Sequence, residues 1–192
     1  MTIFCFFTIT ALAPVASSQT TKPAEEKPKQ EEEAEKKEGK SAKETAKELR
    51  EKQKKAHLII CGNNIKQIFT LATIYAEDRG GKFPFVKKKR AKAYEAFNLL
   101  IEQFGEDMEP RLFICPADTK KKPAKKDKDG KFRLTAKNCS YLWNNNRIRN
   151  SDASETIVCA CTKHDKTQTI NIGGQLKQEK GRKIAIKGLS GN

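Results

Sequence analysis

The side chains of this chain best able to do chemistry are Cys61, Cys115, Cys139, Cys159 and Cys161, together with His57 and His164. Three chemistries compete for them. A cysteine nucleophile needs a base beside it, and His57 or His164 can serve Cys61 or Cys161 in that role. The contexts speak against it, since His57 stands at the entrance of an amphipathic stretch and His164 in a polar turn after a strand-like run. Zinc is the second chemistry, and Cys159-x-Cys161-x2-His164 holds three potential ligands. A structural zinc site usually brings two paired clusters, however, and here Cys115 and Cys139 are isolated. Disulfides are the third. Cys159 and Cys161 lie two apart in a strand, so they share a face and are poorly placed to bond each other. The favoured link joins Cys115 to Cys139, because it closes the long polar loop between them and contributes about 3 kcal/mol through unfolded-state entropy. Of the six cysteines, the five that remain once an N-terminal signal segment with Cys5 is removed leave at least one over, and the alternative in which all five are small buried apolar residues stays open. With no phosphate-cradling glycine loop, His-Glu-x-x-His motif or Gly-x-Ser-x-Gly elbow, the expectation is no enzyme, no cofactor, no metal and no small-molecule substrate.

The other chemical feature is charge. Much of the net charge of +15 falls in the loop at 117–137, where Lys120, Lys121, Lys122, Lys125, Lys126, Lys128, Lys131, Arg133 and Lys137 are opposed by Asp127 and Asp129. Such a loop attracts polyanions, whether acidic polysaccharide, lipid headgroups or nucleic acid. Phe132 is its one aromatic residue, and a base-stacking platform needs several. A solvated insertion that merely aids solubility is the bland reading. Asp127-Lys-Asp129-Gly130 has a superficial likeness to a calcium loop, but Lys125 stands where the first ligand belongs and Ala136 where the closing Glu is required.

These groups must be positioned by a core, and the core begins near His57. Over residues 58–75, Leu58, Cys61, Ile65, Ile68, Ala72 and Tyr75 recur at helical spacing, predicting a helix with one buried face. Ile59, Ile60, Phe69 and Ile74 widen that stripe, so the helix is expected to touch more than one surface. Gly80 and Gly81 end it through positive φ, and Pro84 prevents its resumption. A second helix fits 91–104, lined by Tyr94, Phe97, Leu100, Ile101 and Phe104 and closed by Gly105. Strands are expected at 111–115, 139–143, 156–161, 169–173 and 182–187, with Ile170, Ile172, Ile184 and Ile186 facing inward and turns at Gly173-Gly174 and Lys180-Gly181. A helix followed by an antiparallel sheet reads as an α+β fold.

What precedes the core has a different composition. Residues 3–13 form an apolar run of signal-peptide length, followed by small residues at Ala16 and Ser18, so residues 1–18 read as a signal peptide cut between Ser18 and Gln19. No Lys or Arg precedes the run, and Cys5 is badly flanked for a lipid-anchored cysteine. Residues 19–40 are expected to be a disordered charged linker, and 41–56 a solvated helix started by the Ser41/Glu44 capping box. The head is then 57–192. Export to the periplasm, the cell surface or the medium follows, with no transmembrane helix once the signal is removed.

Several stretches resemble a known family. Cys61-Gly-Asn-Asn-Ile65, running on through Tyr75-Ala-Glu-Asp78-Arg-Gly80-Gly-Lys-Phe83-Pro84, is similar to the helix-to-loop signature of type IV pilin-like, pseudopilin-like proteins of Planctomycetes and related bacteria. Phe113-Ile-Cys115-Pro116-Ala-Asp118 and Cys139-Ser140-Tyr141-Leu142 resemble further landmarks of that group, in the same order. The resemblance spans about 61–175. It implies a head of one long helix packed on a small antiparallel sheet, and a non-enzymatic envelope protein that contacts another envelope protein or a surface polymer. The chain departs from the pattern twice: a prepilin leader with its greasy helix is absent, and Gly173-Gly174-Gln175 stands where members carry Asp-Gly-His. Calcium, which type II secretion relatives bind in a C-terminal loop, is not carried over, because no matching acidic cluster occurs here.

Overall fold

The computed structural model describes residues 31–105, 107–180 and 189–190, with backbone alone for 31–41 and 189–190. Two compact units divide at Lys43/Glu44, and of the first only helical backbone from Glu31 is described. The signal segment, its Ser18/Gln19 cut and the strand expected at 182–187 lie outside the described residues.

Helix α1 runs over Glu31–Glu77. Ser41 and the ten residues before it fall within this helical span. The physical reason is composition, since Glu, Lys and Ala are strong helix formers whose summed propensity outweighs one glycine. The head-facing side follows the sequence reading. Cys61, Ile65, Ile68 and Ala72 are fully buried and Tyr75 nearly so, and burying each isoleucine contributes about 1.5–3 kcal/mol. The wider stripe is overturned, because Ile59, Ile60 and Ile74 remain 65%, 47% and 42% exposed; only Phe69 reaches the core, stacked on Phe83 at 6.1 Å. The helix ends as expected. Gly80 and Gly81 take φ of 62° and 79°, and the Gly81 N–H donates to Ala76 O at 2.8 Å, closing a carbonyl the helix leaves open.

Helix α2, Ala93–Phe104, starts where the Glu95 carboxylate accepts the Lys92 N–H at 2.7 Å. It buries Ala93, Ala96, Phe97, Leu100 and Ile101, while Tyr94 and Phe104 pack half-buried at the margin. The strand expected at 111–115 is instead a 3-10 turn, Pro110–Phe113. Proline at its first position presets helical φ, and the Leu112 and Ile114 amides bond back to Glu109 O and Arg111 O. That turn aims Phe113 into the core against Phe97, 5.4 Å away.

The C-terminal third forms an antiparallel sheet of β1 (Leu142–Asn144), β2 (Ile157–Cys161), β3 (Lys166–Asn171), β4 (Leu176–Lys180) and β5 (Leu189–Ser190), in the order β4-β3-β2-β1-β5. Register places Trp143 opposite Cys159, and Cys161 opposite Gln168. Helix α1 packs on this sheet, giving the α+β fold the sequence implies. Gly62 permits the approach, since a Cβ there would come within 2.9 Å of Leu176 Cδ2. Buried Gln168 reaches across to donate to Leu58 O at 2.8 Å. At the centre Trp143 meets Phe97 edge-on at 5.3 Å and donates its indole N–H to Pro84 O at 2.9 Å.

Candidate metal centre

Three elements converge beneath α1. Cys61 hangs from the buried face of α1, one turn after Leu58. Cys115 follows the 3-10 turn, whose geometry directs it inward. Cys161 ends β2, and His164 lies in the turn between β2 and β3. Their ligand atoms, three Sγ and one imidazole nitrogen, all lie within 4.8 Å of one another. The three cysteines are fully buried and His164 is half-buried at the edge. The Cys115 Sγ is 3.1 Å from His164 Nε2.

The electrostatics are those of three thiols competing for one negative charge. The Cys115 thiol is pulled well below its ordinary range by hydrogen bonds from Cys161 and Cys61, and further by the Ala117 N–H and by His164. Cys61 is pushed far up by its hydrogen bonds to Cys115 and Cys161 and by burial. Cys161 is pushed up to about 12, chiefly through Cys115, although the Lys163 N–H bonds to its sulfur. Two sulfurs thus receive backbone donors from the residue two positions on, a support suited to thiolates. Around the site, Tyr141 Oη accepts from Asn64 Nδ2 at 3.2 Å and donates to Ile114 O at 3.3 Å. Buried Asp118 lies 3.2 Å from the Lys163 ammonium. A pocket of about 340 Å³, bordered by His57, Leu58, Lys163 and His164, opens over the imidazole.

The link expected between Cys115 and Cys139 is not formed: all five described cysteines carry free thiols. The loop between them is closed by other means. Ser140 N–H donates to Phe113 O at 3.0 Å, the Lys121 ammonium to Ala136 O, and Asn98 clasps Leu134 from both sides. Cys115 therefore faces Cys61 and Cys161, whereas Cys139 turns its Sγ toward Tyr141 O at 3.7 Å. Cys159 shares the face of Cys161, as its spacing requires, but is not among the converging ligands. Burial and the nearby Cys139 and Cys161 hold its thiol up.

Of the three ligands read in Cys159-x-Cys161-x2-His164, the structure brings together Cys161 and His164 and leaves out Cys159. The other two, Cys61 and Cys115, are distant in sequence. Cys61 carries a signal as the first cysteine on the buried helical stripe, and Cys115 as a cysteine before Pro116, a step that favours a tight turn around the sulfur. His57 borders the pocket but is not among the converging ligands.

The basic residues occupy a folded loop. Lys120, Lys122, Lys125, Lys126, Lys128, Lys131, Arg133 and Lys137 are exposed and Lys121 half-buried, while Ala124, Phe132 and Leu134 of the same segment enter the core. Asp127 builds a turn: its Oδ1 accepts the amides of Asp129 and Lys131 at 3.0 and 2.8 Å, with Gly130 at φ 74°. Lys126 lies 3.5 Å from Glu109. Among the described residues, no helix is long and apolar enough to cross a membrane. No family model, no curated protein and no solved structure matches the chain.

Proposed function

We propose that this is an exported, non-catalytic interaction protein of the cell envelope, in which an α+β head of pseudopilin-like type acts through its surface. One observation carries the reading: the five described cysteines are fully buried in the core, three of them gathered under α1, where they serve the fold rather than a substrate. The head's surface is left with charge. Export rests on residues 1–18 and on the charged segment that follows. The test is intact-mass analysis of the protein recovered from envelope and medium fractions. The expected species begins at Gln19. A full-length mass retaining Met1, confined to the cytoplasmic fraction, refutes the reading.

A second reading makes the basic loop the functional part, binding an anionic polymer. It is favoured by the way the loop folds, because Phe132, Leu134 and Ala124 anchor it and hold its cations as a fixed array. Exchanging Lys120, Lys122, Lys125 and Lys128 for Gln should lower retention on heparin or DNA. On DNA it should also flatten the plot of log affinity against log salt by about 0.7–0.9 for each phosphate that is no longer neutralised. Unchanged retention removes this reading and leaves the first intact.

A further inference from the structure

We propose that Cys61, Cys115, Cys161 and His164 bind one zinc ion in a closed tetrahedral site of three sulfurs and one nitrogen that fastens α1 to the sheet. This assignment is independent of what the head's surface binds.

The donor set comes first. Three thiolates and one imidazole form one of the standard structural zinc sets, and a thiolate-rich site selects zinc over hard cations. The geometry comes second. Zinc–sulfur bonds of about 2.3 Å place the sulfurs of a tetrahedron about 3.8 Å apart. The four donor atoms already lie within 4.8 Å of one another, so each sulfur–sulfur edge needs to close by about 1 Å at most, while the 3.1 Å edge between Cys115 Sγ and His164 Nε2 opens by about 0.4 Å. Third is the support around the sulfurs: the Ala117 and Lys163 amides point at the Cys115 and Cys161 sulfurs, the outer-shell arrangement that fixes ligating groups.

Competing explanations account for less. Cysteines buried only as small apolar residues give no reason for an imidazole nitrogen to sit 3.1 Å from Cys115 Sγ. A disulfide between two of the three leaves the third sulfur and the imidazole facing each other unused. Zinc employs all four donors, and the one half-buried donor, His164, borders a pocket at the edge of the site. Binding displaces thiol protons into solvent and involves no redox change.

The experiment uses the reduced full chain under anaerobic conditions, titrated with Co2+ as a spectroscopic probe and then with Zn2+. The expected result is one cobalt per chain, with sulfur-to-cobalt charge-transfer intensity and the strong d–d bands of a tetrahedral site, displaced by one equivalent of zinc. X-ray absorption of the zinc-loaded wild type should give three sulfurs at about 2.3 Å and one nitrogen at about 2.0 Å; it needs no variant and so does not depend on any variant folding. Replacing half-buried His164 by Ala should weaken cobalt by at least about 10- to 100-fold, the loss that removal of a mere outer-shell partner causes, while keeping the thiolate bands. Cys61→Ser and Cys161→Ser should abolish stoichiometric binding. Absence of saturable binding, an octahedral oxygen-ligated cobalt spectrum, or undiminished affinity in Cys61→Ser overturns the assignment.

Discussion

Asn98 offers the sharpest test of how the basic loop is held. Its side chain is 5% exposed; Nδ2 donates to Leu134 O at 3.1 Å and Oδ1 accepts the Leu134 N–H at 2.8 Å. One amide of α2 thus satisfies both backbone groups of a fully buried loop residue. Asn98→Ala removes both partners and leaves the donor and the acceptor inside the core. An unsatisfied buried group costs about 1–3 kcal/mol, and partial relaxation toward water puts the pair at about 2–5 kcal/mol. At the roughly 2–4 °C per kcal/mol usual for this chain size, Tm should fall by about 4–20 °C. Urea unfolding followed through the fluorescence of Trp143, the single tryptophan, measures the stability. Hydrogen exchange at Leu134 and tryptic cleavage within 120–133 report on the loop. Asn98→Asp should cost more, because it loses the donor and buries a charge. A loss below about 0.5 kcal/mol, with Leu134 as protected as before, refutes the claim that this clasp pins the loop.

Three further outcomes are expected. Zinc and cobalt affinity should rise with pH, because the thiols must lose their protons to ligate metal and protons therefore compete with it; acid weakens binding. A competition titration at several pH values that finds no slope contradicts this. Trp143→Phe should cost about 2–4 kcal/mol in urea unfolding, since it leaves the Pro84 carbonyl without its indole donor and opens space beside Phe97; a loss under about 1 kcal/mol counts against it. Gly62→Val should loosen the packing of helix on sheet, because even its Cβ would crowd Leu176. Faster exchange at Leu58–Ile65 amides is the readout, and Gly62→Ala should be mild, as the crowded atom is the end of a flexible side chain.

The buried face of α1 is legible in the sequence because burial on a helix is periodic: Cys61, Ile65, Ile68, Ala72 and Tyr75 mark it, and Gly80 marks its end. Its length is not, since a run of Glu and Lys carries no apolar period whether or not it is helical. Strand β2 reads correctly from its apolar run. Strand β4 leaves no such trace because Lys177, Gln178, Glu179 and Lys180 are all exposed on an edge, and an edge strand paired on one side needs no hydrophobic signature. The 3-10 turn at 110–113 reads as extended because Leu112 and Phe113 are apolar and short apolar runs are ambiguous in period; Pro110 is the cue that favours the turn. Gln168, fully buried in β3, cannot be identified from sequence as the strap to Leu58, because a polar residue inside a core is justified only by a partner from elsewhere in the chain.

The site is hidden for a related reason. Cys161 and His164 stand close enough in sequence to read as ligands, yet Cys115 and His164 are 49 residues apart and Cys61 belongs to a different element altogether. Only the packing of α1 on the sheet joins them, so the site is a product of the fold rather than of a motif. This also resolves the awkward count of five thiols in a chain read as exported. An odd number is a defect for a disulfide framework but not for a site that takes three, with Cys139 and Cys159 buried elsewhere in the core. A metal held by ligands so far apart in sequence ties long stretches of chain together, so its stabilisation acts on the unfolded ensemble as well as on the native packing. The helix that enters the head at Leu58 is then fixed at two levels, by the Gln168 strap and by the Cys61 thiolate one turn deeper, and loss of the metal should be felt first at that entrance rather than at the Gly80 end of the same helix.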